Sequence, residues 1–192
     1  MTTSIDIANR ALVLLGAREI TSFTEGSNES KVAKSLYLSA RDYVLRAYPW
    51  ASLKKRTALI ELADKPVNGF MHQYQLPEDN IRVIEVHSPN ASWDKKIKSW
   101  EIEGTKVLCD HKPVSIVYLS DSVPETKYST QLVQALVYRL ASEMAYPVTG
   151  NNTAMSNFAS LFENVLMEAR TTDALEQSAK HMGPSNFVQV RL

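Results

Sequence analysis

The apolar residues from Val32 to Ala47 recur at helical spacing, and Pro49 follows them almost directly. Because proline cannot continue a helix, a long amphipathic helix is predicted to end there. From Leu53 to Leu119 the pattern changes to short alternating runs separated by turn residues, which is typical of strands. Helical spacing returns from Leu132 onward. The sequence therefore predicts two helices, a β region and two more helices.

The ends of these helices are predicted from capping residues. The first helix should start with Ser4 as its N-cap and stop at Gly16, because glycine favours the left-handed C-terminal cap. The second helix should be capped by Asn28. The third should end at Pro147, and the fourth should run from about Thr153 to Lys180. Its predicted inward-facing residues are Phe158, Leu161, Phe162, Val165, Leu166 and Ala169.

The β region is predicted to be antiparallel. Because its strands are close together in sequence, a meander is the simplest pairing. The last strand carries a nearly continuous apolar run and is expected to be central. The candidate strands are Leu53–Ile60, Phe70–Gln75, Ile81–His87, Lys96–Glu101, Thr105–Cys109 and Val114–Leu119.

Neither helical pair offers much core on its own, so we expect the four helices to pack together. The predicted fold class is α+β and mainly α, with the antiparallel β region inserted into a four-helix body. Residues 1–50 and 120–182 form the predicted helical body, and residues 51–119 form the inserted β region. Gly183 and Pro184 should release an extended C-terminal tail, residues 183–192.

Composition restricts the possible functions. The 21 Lys and Arg residues balance 21 Asp and Glu residues, which argues against a dedicated nucleic-acid binder. The single cysteine, Cys109, excludes an intrachain disulfide framework and fits a reducing compartment. The first apolar run, Ile5 to Leu15, is interrupted by polar residues, so we expect neither a signal peptide nor a membrane span there. Synthesis in a cytoplasm is expected.

No chemistry stands out among the polar clusters. Cys109, Asp110 and His111 could combine a thiolate with a base, but they are predicted to lie at a hairpin turn, with Cys109 buried at a strand end. His72, His87 and His111 lie on separate β segments without metal-ligand spacing, so they are expected on the sheet surface. Glu78 and Asp79 follow Leu76-Pro77, where an aspartate usually closes the turn. No catalytic, metal or cofactor-binding residue is predicted.

The corner after the second helix is the most informative motif. Tyr48, Pro49 and Trp50 stand between helix and strand, and three cations, Lys54, Lys55 and Arg56, follow. On a strand, Lys54 and Arg56 share one face while Lys55 takes the other. That alternation predicts a solvated or partner-facing charged interface rather than a groove for duplex DNA.

A helix that ends in Tyr-Pro-Trp and leads into Ala-x-x-x-Lys-Arg-x-x-Leu resembles the head-to-tail adaptors of tailed phages, the head-tail connector family that includes tail tubular protein A. Further similar motifs follow in the same order over roughly residues 5–175. They are Asn9-x-Ala11-Leu12-x-x-Leu15-Gly16, Ile20-Thr21-Ser22, Tyr74-Gln75-Leu76-Pro77-Glu78-Asp79, Trp100-Glu101-Ile102-Glu103-Gly104, Val114-Ser115-Ile116-Val117-Tyr118, Tyr146-Pro147-Val148-Thr149-Gly150 and Glu168-Ala169-Arg170.

The resemblance implies a structural virion protein and not an enzyme. Such adaptors form a ring, typically of twelve copies, between the portal and the tail-proximal (nozzle) protein, and genomic DNA passes through the bore during ejection. The helical part usually supports subunit packing and portal docking, and the β part usually faces the tail. Trp50 would then wedge the corner between helical body and sheet. DNA is expected only in passage, without specific binding, and no membrane contact is implied.

The C-terminal tail is predicted to bind a partner. Phe187, Val188 and Val190 favour an extended strand, and no sequence downstream is present to pair with it. We expect these residues, together with Leu192, to contact the portal, the tail or a neighbouring subunit.

Two other functions remain open from the sequence. One is a virion-associated cell-wall hydrolase that cleaves glycans with paired carboxylates. The other is a small DNA-packaging protein, which would require a basic recognition helix, and none of the four predicted helices provides one.

Overall fold

The computed structural model of the chain describes residues 2–91 and 95–176. It contains four helices and two small antiparallel sheets, so the predicted mainly helical α+β class is confirmed. The helices are α1 (Ser4–Leu14), α2 (Asn28–Ala47), α3 (Thr130–Thr149) and α4 (Asn152–Glu176). The strands are β1 (Lys54–Ala58), β2 (His72–Gln75), β3 (Asn80–His87), β4 (Trp100–Glu103), β5 (Lys106–Cys109) and β6 (Ser115–Ser120).

Helix α3 is the centre of the helical body. It packs against α1, α2 and α4, whereas α1 and α2 meet each other only briefly. Leu132, Leu136 and Leu140 on α3 are completely buried. Among the helices in the described ranges, none is long and apolar enough to span a membrane.

The two predicted N-caps are each wrong by one residue. Thr3, not Ser4, caps α1: its side chain accepts the N–H of Asp6, whose carboxylate accepts the N–H of Thr3 at 2.8 Å. Ser27, not Asn28, caps α2 through its hydroxyl oxygen. In both cases the capping residue has extended backbone angles, which the first residue of a helix does not adopt.

The predicted stop of α3 at Pro147 is also wrong. The helix continues to Thr149, and Gly150 ends it with a left-handed φ of 70°. The Gly150 N–H donates to the Tyr146 carbonyl at 2.8 Å, which supplies the C-terminal cap. Pro147 has no N–H to donate to the Glu143 carbonyl, so α3 loses that hydrogen bond but continues for two more residues.

Helix α4 starts near the predicted residue, and its predicted end at Lys180 lies outside the described residues. Four of its predicted inward-facing residues are buried: Phe162, Val165, Leu166 and Ala169. Phe158 is half-buried, and Leu161 is 38% exposed, so the prediction for Leu161 is wrong. The buried stripe is narrower than the sequence pattern indicated.

The strands pair differently from the predicted meander. One sheet has the order β1-β6-β3 and the other β2-β5-β4, with every pair antiparallel. Strand β6 is central in its sheet, as predicted. The predicted strand Lys96–Glu101 begins only at Trp100, and Lys96 makes an isolated bridge to His87.

Two apolar cores hold the molecule together. The first lies among the helices and includes Trp50, Leu53 and Leu119 from the entrance and exit of the β region. The second lies between the two sheets, where Tyr118 of one sheet and Val107 of the other are buried together. The β1-β6-β3 sheet therefore separates the helices from the β2-β5-β4 sheet.

Candidate functional site

The helix-to-sheet corner is built around a buried indole. Tyr48 leaves α2 with extended backbone angles, and a 3-10 turn at Ala51–Leu53 leads into β1. Trp50 is only 2% exposed, and its Nε1–H donates to the Val44 carbonyl at 2.9 Å. The last carbonyls of a helix have no intrahelical partner, so the indole satisfies one of them while it fills the core.

Aromatic contacts extend this corner to α4. The rings of Tyr48 and Trp50 meet edge to face with centroids 4.9 Å apart. The Tyr48 hydroxyl donates to the Ala169 carbonyl on α4 at 3.3 Å. Pro49 is half-buried between the two aromatic residues. The three predicted corner residues thus connect α2, α4 and the start of β1.

Asp79 is the most highly coordinated carboxylate in the described ranges. It accepts hydrogen bonds from the hydroxyls of Tyr118, Ser120 and Ser122 at 3.0, 2.6 and 3.0 Å, and from Lys55 Nζ at 2.9 Å. Burial alone would raise the pKa of Asp79, but these four donors hold that pKa well below its usual range. We call these five residues the Asp79 cluster.

The Asp79 cluster changes the interpretation of the three cations after the corner. Lys55 is used inside the subunit, because it binds Asp79 and Ser122. Arg56 is exposed, and Lys54 is half-buried. An interface role therefore remains available to Lys54 and Arg56, whereas Lys55 connects β1 to the turn before β3.

Two histidines belong to small charged groups on the sheets. His72 Nδ1 lies 2.7 Å from Glu61, which also binds Lys112, and hydrogen bonds from Lys112 and His72 lower the pKa of Glu61. His87 Nε2 lies 2.9 Å from Glu85, which also binds Lys96. Each histidine is partly exposed and contacts a carboxylate, which is an arrangement of surface ion pairs.

The Cys109-Asp110-His111 segment does not form a nucleophile with a base. Cys109 is completely buried, and its thiol lies 3.6 Å from the main-chain carbonyl of His111, to which it donates. Burial raises the pKa of the Cys109 thiol, which keeps it protonated at neutral pH. Asp110 instead accepts the N–H of Met71 at 2.9 Å. In the described part of the chain, no group of three metal-ligating side chains converges.

The segment between β1 and β2, residues 59–71, carries an unusual exposed apolar surface. Ile60, Val67 and Met71 are 80%, 102% and 67% exposed. The base of this segment is fixed to β2, because Leu62 N–H donates to Gln73 O at 2.9 Å. We call residues 59–71 the β1–β2 loop. Ile60, Val67 and Met71 thus project into solvent from a segment whose base is hydrogen-bonded to the sheet.

Sequence reasoning missed the pair Arg46 and Arg82. Arg46 lies in the last turn of α2 and Arg82 at the start of β3, and Arg82 Nη1 lies 3.4 Å from the Arg46 carbonyl. No sequence spacing brings these residues together, because 36 residues separate them. The predicted partner-binding residues Phe187, Val188, Val190 and Leu192 lie outside the described residues.

No protein-family model matches the sequence, and no curated protein matches it either.

Proposed function

We propose that the protein is a structural head-to-tail adaptor of a tailed phage, without catalytic activity or cofactor. Copies of it form a ring, with about twelve subunits as the resemblance implies, between the portal and the tail nozzle protein. Genomic DNA passes through the bore. The protein is made in the host cytoplasm and ends in the virion at the head-tail junction.

The observation that carries the proposal is the Tyr48-Pro49-Trp50 corner. The sequence of this corner resembles the adaptor family, and in the structure its side chains join α2, α4 and β1. A ring subunit contacts two neighbours and two axial partners at once, so its two parts need a fixed angle. A buried indole that caps a helix and fills the core provides that angle.

The other motifs that resemble the family also lie at joints. Asp79, which ends the Tyr-x-Leu-Pro-x-Asp motif, accepts one hydrogen bond from β1, two from β6 and one from Ser122 just after β6. Gly150, the last residue of the motif between α3 and α4, terminates α3 with a left-handed backbone conformation. Residues that fix the angles between neighbouring elements, by side-chain hydrogen bonds at Asp79 and by backbone conformation at Gly150, support a role in assembly.

The surface also supports the proposed partners. The β1–β2 loop exposes Ile60, Val67 and Met71 on the β region, which in this proposal faces the tail. Apolar residues concentrated in one exposed segment are typical of a protein interaction site. The balanced charge of the chain suits a ring that lets DNA slide through, because phosphate binding would need a basic excess.

Native mass spectrometry with and without the portal protein of the same virion tests the proposal. Without the portal protein we expect monomers. With it we expect a defined ring of this protein bound to the portal ring. A protein that never associates with the portal at micromolar concentration would contradict the proposal. Cleavage of cell-wall glycan by the purified protein, abolished by replacing one carboxylate, would favour the hydrolase alternative instead.

The tail sequence gives a second test. Deletion of residues 185–192 should leave the melting temperature of the free protein unchanged, since termini seldom carry global stability. Under the adaptor proposal the deletion should weaken ring assembly on the portal, because Phe187, Val188 and Val190 are predicted to bind a partner. Unaltered affinity of the truncated protein for the portal would contradict this role of the tail.

A further inference from the structure

A groove of about 340 Å³ lies where the end of α2 meets the two sheets. It receives residues from α2, from the β2–β3 turn, from β3 and from β4. Those used below are Arg46, Leu76, Asn80, Arg82, Val83 and Ile102. Because these residues come from separate elements that are packed together, the groove is present before any ligand binds.

The floor of the groove is apolar. Leu76 and Val83 lie there and are each 5% exposed. Ile102 forms a wall and remains 47% exposed, although its neighbours on the same face of β5 are buried. Covering Ile102 with an apolar side chain of a ligand would remove this surface from water.

The rim of the groove is cationic. Arg46 and Arg82 are exposed, and neither guanidinium forms an ion pair with another residue of the described ranges. Glu78 is the single carboxylate among the described lining residues, so two positive charges face one negative charge. Guanidinium groups bind carboxylates through paired N–H donors, so a rim with two of them is suited to an acidic ligand.

Asn80 adds an unused acceptor. It lines the groove, and its buried Oδ1 has no hydrogen-bond partner in the described structure. A buried acceptor without a partner is costly, and rotation of the Asn80 side chain toward the groove would let a ligand N–H relieve that cost. A peptide backbone carries N–H donors, whereas the phosphodiester backbone of DNA carries acceptors only.

We propose that this groove binds an extended acidic segment of a partner protein. Carboxylates of the segment pair with Arg46 and Arg82, an apolar side chain covers Ile102, and a backbone N–H reaches Asn80. The apolar floor and the unused acceptor favour a peptide over nucleic acid. The site lies within one subunit and does not depend on ring assembly, so it stands or falls separately from the adaptor function.

A synthetic peptide tests the site. The probe is an acetylated and amidated hexapeptide that alternates leucine with aspartate, and its matched control replaces each aspartate with asparagine. In a titration followed by ¹⁵N–¹H correlation spectra, we expect amide shifts confined to Arg46 and its helical neighbours, residues 75–83 and residues 102–105. The acidic peptide should bind about tenfold more tightly than its control, as one charge-assisted hydrogen bond predicts. Equal binding of the two peptides would overturn the proposal.

Variants locate the site on the surface. Arg46→Glu replaces a guanidinium that makes no hydrogen bond within the described residues, and Arg82→Gln keeps a donor toward the Arg46 carbonyl, so both variants should stay folded. Each variant should bind the acidic peptide about tenfold more weakly than wild type. Arg56→Glu, on β1 outside the groove, should bind the peptide within about twofold of the wild-type affinity. Equal losses in all three variants would indicate general charge attraction and reject the site. Tight binding of a 12-base-pair DNA duplex that Arg46→Glu abolishes would assign the groove to nucleic acid instead.

Discussion

The two sheets of the β region differ in what covers them. The central strand β6 of the β1-β6-β3 sheet is covered on both faces, since Leu119 packs into the helical core and Tyr118 into the core between the sheets. The β2-β5-β4 sheet is fully covered on one face only, because Gln73 and Leu108 on its other face are buried but Glu101 and Glu103 at its β4 edge are exposed. The first sheet is therefore part of the framework of the subunit, whereas the second keeps a surface available for partners.

The polar interactions of the two sheets differ in the same way. In the first sheet, the Asp79 cluster joins β1, β6 and the turn before β3. Beside the second sheet, Glu61 joins His72 and Lys112 in a partly exposed ion-pair group. Exposed ion pairs contribute little to stability, because solvent screens them. Substitutions in the first sheet should therefore cost more than substitutions in the second.

The largest difference is expected between two tryptophans. Trp50→Ala removes a completely buried ring and the cap on Val44, and should lower the free energy of unfolding by about 3–5 kcal/mol. Trp100→Ala is the matched control, because Trp100 is half-buried on the edge strand β4, and should cost about 1 kcal/mol. Urea unfolding monitored by circular dichroism measures both. Equal losses of unfolding free energy in the two variants would contradict the expected difference between the framework and the exposed sheet.

The second effect is expected at Asp79. Asp79→Asn removes the charge that binds Lys55 and three hydroxyls, and should cost about 2 kcal/mol at pH 7. Asp64→Asn is the control, because Asp64 is exposed in the β1–β2 loop, and its loss should stay within about 0.5 kcal/mol. Equal urea midpoints for the two variants would show that the Asp79 cluster contributes no more to stability than an exposed loop carboxylate.

The pH dependence of the same variant sharpens this prediction. Because hydrogen bonds lower the pKa of Asp79 in the folded state, its stabilisation is complete above the unfolded pKa of about 4 and declines as the pH falls further. The stability difference between wild type and Asp79→Asn should therefore shrink below about pH 4. A difference that stays constant from pH 7 to pH 3 would contradict the role of the charge.

A smaller loss is expected from the core of the second sheet. The Tyr74 hydroxyl donates to the His111 carbonyl at 2.8 Å, while the ring is 1% exposed. Tyr74→Phe keeps the ring and removes one neutral hydrogen bond, so it should cost about 1 kcal/mol. Thermal unfolding compared with wild type measures this cost. If Tyr74→Phe lost more stability than Asp79→Asn, the prediction that substitutions in the first sheet cost more than those in the second would be wrong.

Local residue patterns were sufficient to predict the elements, the helical order and the central strand. Helix α2 ends before Pro49, and β6 is central because Ile116 and Leu119 face different cores. Both features depend on neighbours in sequence. The capping predictions failed by one residue, because Ser4 and Thr3 are both good caps and only the backbone angles distinguish them.

Strand pairing could not be predicted from local patterns. The turn between β5 and β6 looks like a hairpin in the sequence, yet β5 pairs with β2 and β4 while β6 pairs with β1 and β3. Val107 of β5 and Ile116 of β6 lie in facing sheets and share the core between them, so the two strands pack face to face and do not pair edge to edge. Which sheet a strand joins depends on contacts across the whole β region.

The candidate sites were predictable to different degrees. Trp50 was expected to hold the corner because the motif occupies the transition from helix to strand. The role of Lys55 was hidden, because its partners Asp79 and Ser122 are distant in sequence. Arg46 and Arg82 gave no signal at all, since a solvated arginine and a groove-lining arginine look the same in a sequence.

The smallest stability effect is expected from the β1–β2 loop. Ile60→Ser, Val67→Ser and Met71→Ser change side chains that already face water, so together they should change the free energy of unfolding by about 0.5 kcal/mol or less. Under the adaptor proposal, the same triple variant should still form a ring on the portal but lose binding to the tail nozzle protein. Leu38→Ser is the control, because Leu38 is 60% exposed on the helical body and should leave nozzle binding intact. Cosedimentation of portal, adaptor and nozzle distinguishes these outcomes. If the triple variant unfolds more easily by over about 1 kcal/mol, the loop belongs to the framework, and the contrast between the two sheets fails.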